Sequence, residues 1–182
     1  MFRRRVIGSC AAVALVAAPV FVTHAQAAAR GAACVLTGSA TISPGLTQTK
    51  QNESIQLSNV KLGNCHSGST SSPNTKATTG TVTTSPNPVV TAASCVAGNL
   101  NLSATITWAD GNTTTATIAT KGVLANQAIT GSVTGSSEPA LAAGDKVAGD
   151  VAFKPTTTAQ NCAKVAVTAV TFTGVLATGS PK

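Results

Sequence analysis

Ser103-Ala104-Thr105-Ile106-Thr107-Trp108-Ala109, then Asp110-Gly111-Asn112, then Thr113-Thr114-Thr115-Ala116-Thr117-Ile118 decides the fold class. Two runs of strict alternation flank a turn-forming triplet, the pattern of a β-hairpin. Its register follows from the side-chain period of two. A loop of Asp110 and Gly111 alone sets Ile106 and Trp108 on the face opposite Ala116 and Ile118. A three-residue loop, Asp110 to Asn112, opposes Ile106 with Ala116 and Ala104 with Ile118, giving one apolar and one threonine face. The three-residue loop is therefore expected.

The same period recurs on either side. Cys34 to Ile42 reads as a half-buried strand, with Leu36, Ala40 and Ile42 on one face and Val35, Thr37, Ser39 and Thr41 on the other. Ser43-Pro44-Gly45 places Pro and Gly as a type II turn wants them, and a loop is expected to run to Asn52. Ile55 and Leu57 share one phase and Val60 and Leu62 the other, so a β-bulge is expected at Ser58 and Asn59. Further strands are expected at Gly80 to Thr84, from Val89 toward Cys95, at Ile129 to Thr134, at Val147 to Phe153 and at Val165 to Leu176. In the fourth of these Val147, Val151 and Phe153 share a face with Gly149. Residues 66–87, almost all Ser, Thr, Gly, Asn and Pro, read as a flexible loop around the short Gly80 strand. No alternation of strands with helical patterns occurs. The fold expected is all-β, either an antiparallel β-sandwich, immunoglobulin-like included, or a flattened β-barrel.

Composition agrees. Charged residues make up 9% of the chain, and Thr, Ser, Ala, Val and Gly replace the long side chains that helices favour. The N-terminus is different in kind. Arg3, Arg4 and Arg5 precede an apolar stretch from Val6 to Val22, and Ala25-Gln26-Ala27 supplies small residues at a cleavage site. Residues 1–27 are expected to be a secretory signal peptide, leaving 28–182 as a single β domain without an integral membrane anchor. The general secretory route is favoured over the twin-arginine route, and Cys10 lies ahead of the apolar segment, the wrong side for lipidation. The expected address is secreted, extracellular or associated with the cell envelope.

Cleavage removes three of the 12 Lys and Arg and none of the five acids, leaving a net charge of +4. The remaining cations are dispersed and the aromatics reduce to Trp108, Phe153 and Phe172, so nucleic-acid binding is not expected. Cys34, Cys65, Cys95 and Cys162 form an even set in an oxidising compartment, and two disulfides are expected. Three connectivities are open. Cys34 with Cys65 and Cys95 with Cys162 is preferred because each pair closes one half of the chain. Zinc is disfavoured, since no two cysteines are closely spaced and His66 is the sole histidine after residue 27.

Several segments resemble a loose group of small secreted actinobacterial β-rich proteins. They are Cys34 with the run Thr37 to Leu46, Leu62-Gly63-Asn64-Cys65, Ala104 to Trp108, Ala143 to Gly149, and Asn161-Cys162 before a final Val-rich strand. The resemblance spans nearly all of 28–182 and implies a β fold and an extracellular address. It implies no catalytic residues.

Chemistry has little to build on. A serine hydrolase needs a histidine base held by a carboxylate, and His66 follows a cysteine and precedes a floppy Ser-Gly-Ser-Thr run. Paired carboxylates would have to come from Glu53, Asp110, Glu138, Asp145 and Asp150, for which turn and surface roles are expected. Neither a calcium loop nor a phosphate-cradling glycine motif is present, and no cofactor is expected. Trp108, in phase with Ile106, reads as core, with ligand contact as the alternative for it and for His66. The threonine rows at Thr113 to Thr117 and around Thr81 and Thr171 resemble the arrays that bind ice or polysaccharide, but they look interrupted and read as ordinary strand faces. The leading functional expectation is a noncatalytic binding or structural protein with an extracellular or cell-wall partner. The alternatives are a carrier of a small apolar molecule in an inter-sheet cleft, and an extracellular hydrolase.

Overall fold

The computed structural model describes residues 31–67, 78–85, 88–156 and 162–180. The expected signal peptide and cleavage site and most of the expected loop at 66–87 lie outside them. The strands are β1 (Ala32–Leu46), β2 (Gln51–Ser67), β3 (Gly80–Thr84), β4 (Val89–Ala93), β5 (Gly98–Trp108), β6 (Thr113–Val123), β7 (Asn126–Ser136), β8 (Lys146–Pro155) and β9 (Val167–Gly179), with no helix among the described residues.

The sheet closes on itself. Its order is β1-β9-β8-β7-β6-β5-β3-β2, with β2 returning to β1, and β4 adds to β2 outside the ring. All these pairings are antiparallel. β1 is bonded along both edges, to β9 from Ala33 to Leu46 and to β2 from Ala32 to Ser43. The sheet therefore has no break at which to split into two layers, and of the two expected architectures the chain forms the barrel.

Strong curvature needs places where a strand can bend. β2 supplies two. Thr37 and Ser39 of β1 oppose Lys61 and Ser58, and Ala33 and Val35 oppose His66 and Gly63, so β2 carries one extra residue at each step. Asn59 and Asn64 take these up with φ of 53° and 48°, a left-handed conformation that Asn tolerates better than most residues. The first is the bulge expected from the phase slip. Ser43-Pro44-Gly45 does not end β1 as a turn. It forms a wide bulge within the strand, where five steps from Thr41 to Leu46 match two from Ala169 to Val167.

The hairpin keeps the expected faces with a different register. Ala104 opposes Ala116 and Ile106 opposes Thr114, while Trp108 N donates to Asn112 O and Gly111 N to Trp108 O. The loop is thus Ala109-Asp110-Gly111, one residue earlier than expected. A three-residue loop needs a left-handed residue at its last position, and Gly111, φ 88°, can serve there without strain. Asp110 accepts from the Asn112 backbone and side chain.

Alternation sorts the core inward: Ile106 and Trp108 from β5, Ala116 from β6, Ile129 and Val133 from β7, Val147 and Val151 from β8, Val170, Phe172 and Leu176 from β9. Phe172 lies over Gly38, its register partner, where any Cβ would collide with the ring. Two disulfides, Cys34–Cys65 and Cys95–Cys162, tie the ends. The first joins β1 to β2, and the second holds the segment after β4 to the approach to β9.

A candidate ligand cavity in the barrel lumen

Two ends of the barrel are filled differently. At the end that carries the β5–β6 loop, Trp108 is 3% exposed and donates through Nε1 to Thr114 Oγ1 at 2.9 Å. Thr114 in turn shares a 2.8 Å hydrogen bond with Ser136 Oγ. Residues 137–145, between β7 and β8, bring Ala140 and Leu141 into the core beside them. This end is closed. Trp108 is thus buried in the core, and His66 sits apart from it, exposed on β2 opposite Ala33.

The other half holds a cavity of about 120 Å³. Its wall is Leu36 and Ile42 of β1, Ile55 and Leu57 of β2, Val82 of β3, Leu100 and Leu102 of β5, Ile118 of β6, Ile129 of β7, Phe153 of β8, and Phe172 of β9. Leu36, Leu57, Val82, Leu100, Leu102 and Ile118 line this space and remain only half-buried, although all but Leu102 also pack against the core cluster. An eight-stranded ring is just wide enough for side chains or one small ligand, and here the inward residues leave room for one.

Polar groups gather at one end of this cavity. Ser94, Asn99, Thr120 and Gln127 join its lining. Thr120 is buried, and its Oγ1 donates to Gln127 Oε1 at 2.6 Å. The base below is laced together, since Cys95 N donates to Thr47 O and Leu124 N to Cys95 O. The β3–β5 ladder stops short on one side. β3 ends at Thr84, opposite Ala104, and after the Ser85 N to Ser103 O hydrogen bond the lower part of β5, Gly98 to Leu102, has no partner on its β3 edge among the described residues. Leu100 and Leu102 lie beside that gap. β4 packs along this stretch and adds the buried Val90 and Ala93 to the cavity wall.

The carboxylates are more buried than the sequence led us to expect. Glu53 is 0%, Glu138 2% and Asp145 4% exposed, whereas Asp110 and Asp150 are exposed. Each buried acid is held by local donors. Glu53 accepts from Gly45 N at 2.9 Å and Gln51 Nε2 at 2.7 Å, fixing the β1 bulge. Asp145 accepts from Ala142 N and Ser180 Oγ. Glu138 accepts from Ala140 N and weakly from Asn112 Nδ2, which also donates to Asp110. Burial raises the Glu138 carboxyl above its ordinary pKa, and the Asp110 charge adds to the rise. Asp110 is lowered, chiefly by the Asn112 backbone N–H. Surface positions were expected for these acids, and Glu53, Glu138 and Asp145 instead lie in the interior, each accepting backbone or side-chain donors.

The threonine rows align better than the linear sequence implies. Thr81, Thr107 and Thr113 stand side by side, as do Thr83, Thr105 and Thr115, and Ser103, Thr117 and Ser132. They cross the outer faces of β3, β5, β6 and β7. Some of their hydroxyls bond to the next strand: Thr83 to Thr105 O, Thr115 to Gly135 O, and Thr117 to Ser132. These hydroxyls act as cross-strand ties on a curved wall.

No protein-family model, curated protein or solved structure matches the chain. Among the described residues, no group of three or more His, Cys, Asp or Glu side chains is placed to hold a metal ion, and no hydrogen bond joins His66 to a carboxylate. The sequence did not single out the lumen residues. One signal was available in Gly98-Asn99-Leu100-Asn101-Leu102, where leucines alternate with polar residues immediately before the hairpin, so Leu100 and Leu102 continue the inward face of Ala104 and Ile106.

Proposed function

We propose that the protein is an exported, noncatalytic binding protein that holds a small, mainly apolar molecule inside its barrel. The observation that carries this reading is the cavity of about 120 Å³ enclosed by Leu, Ile, Val and Phe side chains in half of an otherwise well-filled core. Protein interiors normally leave few voids larger than a water molecule. An apolar space of about 150 Å³ stays dry and takes up benzene or xenon, so the lumen matches an occupant of about five or six heavy atoms. Of the functions expected from the sequence, the apolar carrier gains most from this arrangement. The cleft lies within the ring, not between two sheets.

Two disulfides are typical of proteins that work in oxidising surroundings. With the basic and apolar residues 1–27, they support action outside the cell, where a carrier meets molecules that diffuse freely. The experiment is a thermal-unfolding titration with benzene. Tm is expected to rise with ligand concentration, and Ala104→Leu, which puts a larger side chain on the cavity wall, is expected to abolish the rise. An equal rise in Ala104→Leu would place binding elsewhere.

A further inference from the structure

Resting on the lumen as the binding site, we infer that its occupant is a neutral molecule carrying one hydrogen-bond-accepting oxygen, a short ketone or its ester or ether equivalent. The Gln127 side chain at the polar end of the cavity receives that oxygen.

Gln127 lies at the start of β7, opposite Gly122, and its amide is not free to turn. Thr120, buried on β6, donates its hydroxyl to Oε1 at 2.6 Å, which leaves Nε2 as the outward-directed donor of the amide. Nε2 lies over Gly98, 3.8 Å from where a Cβ would stand, and Gly98 also lines the cavity. Among the described residues Nε2 has no acceptor. Gln127 is half-buried, so water can meet Nε2 in the empty cavity, and an occupant's oxygen takes the place of that water. An occupant supplying one oxygen at that end and hydrocarbon elsewhere matches both halves of the wall.

Charge is selected against by the same residues. The cavity lining contains no Lys, Arg, Asp or Glu. A carboxylate or ammonium would enter without a counter-ion, at a desolvation cost that one neutral amide does not offset.

The test uses n-pentane, 2-pentanone and butanoate, followed by amide chemical-shift titration of the disulfide-bonded protein. All three have five or six heavy atoms. 2-Pentanone is expected to bind, and butanoate to bind at least tenfold more weakly. Gln127→Leu is expected to weaken 2-pentanone about fivefold, within the range of one hydrogen bond, while leaving pentane unchanged or tighter. Thr120→Val, which releases the Gln127 amide without adding bulk, is expected to remove most of the same preference and serves if Gln127→Leu does not fold. Pentane and ketone responding alike to both substitutions would overturn the assignment to Gln127 and leave the lumen as the site. Butanoate binding as tightly as the ketone would overturn neutrality. Binding of none of the three would overturn the lumen reading itself, and this inference with it.

Discussion

Replacing Thr114 by Val removes one hydroxyl from the closed end of the barrel and leaves the shape nearly unchanged. In the native protein that hydroxyl accepts from the Trp108 indole N–H at 2.9 Å, with Trp108 3% and Thr114 1% exposed. The losses are unequal. Ser136, the other partner of Thr114, still receives Glu138 N at 3.0 Å and retains carbonyl acceptors at Thr113 and Glu138. The indole N–H keeps nothing. A buried donor stranded in this way costs about 1–3 kcal/mol, and the tightness of the site places the expectation near 2 kcal/mol. With a urea m-value of about 2 kcal/mol per molar, the unfolding midpoint should fall by about 1 M. Trp108 is the only tryptophan, so its emission reports the transition without a label. Trp108→Phe removes the donor together with ring volume and the fluorophore, and in the double variant, followed by circular dichroism, the Thr114 substitution should cost much less than it does alone. A midpoint shift below about 0.2 M for Thr114→Val would refute the view that this hydrogen bond anchors the closed end.

Three other outcomes follow from the same structure. Glu138, raised by burial and by Asp110, binds protons more tightly folded than unfolded, so stability should fall as pH rises through its folded pKa. Glu138→Gln, measured by urea unfolding from pH 4 to 7, should flatten that fall and gain relative to the native protein at the neutral end. Asp110, lowered, acts oppositely, contributing stability above its ordinary range that is lost as pH drops through its folded pKa. Replacing both members of Cys95–Cys162 by Ser releases a loop with a sequence separation of 67 and should cost about 4 kcal/mol. The Cys34–Cys65 pair, with a separation of 31, should cost slightly less, both read as denaturant midpoints. Gly111→Ala forces a Cβ into φ 88° and should cost about 1–2 kcal/mol, whereas Asp110→Ala leaves that conformation untouched and should cost less.

What could be read from the linear chain was whatever depends on neighbours in sequence. The alternation in Ser103 to Ile118 put Ile106, Trp108, Ala116 and Ile118 on one face, and the slip between Leu57 and Val60 marked the bulge at Asn59. The hairpin register was displaced because the three-residue loop had been centred on Gly111, when the left-handed position it suits is the last. Pro44-Gly45 looked like a turn because the partner that holds it inside a strand, Glu53, comes eight residues later. The burial of Glu53, Glu138 and Asp145 likewise depends on donors and packing that the fold assembles. The cavity was the least legible feature. Its volume is a difference between the girth of a closed ring and the bulk of inward side chains from eight strands, and closure depends on β1 pairing with both β9 and β2. Gln127 and Thr120, seven residues apart, carry no motif. Only the β6–β7 hairpin brings them to one end of a common space.

The most direct test of an open apolar lumen is a crystal structure of the protein under xenon pressure. A xenon peak inside the barrel, in contact with Leu102, Ile118 and Phe153, is the expected result. A barrel that takes up no xenon there, with those side chains packed against one another, would contradict the account.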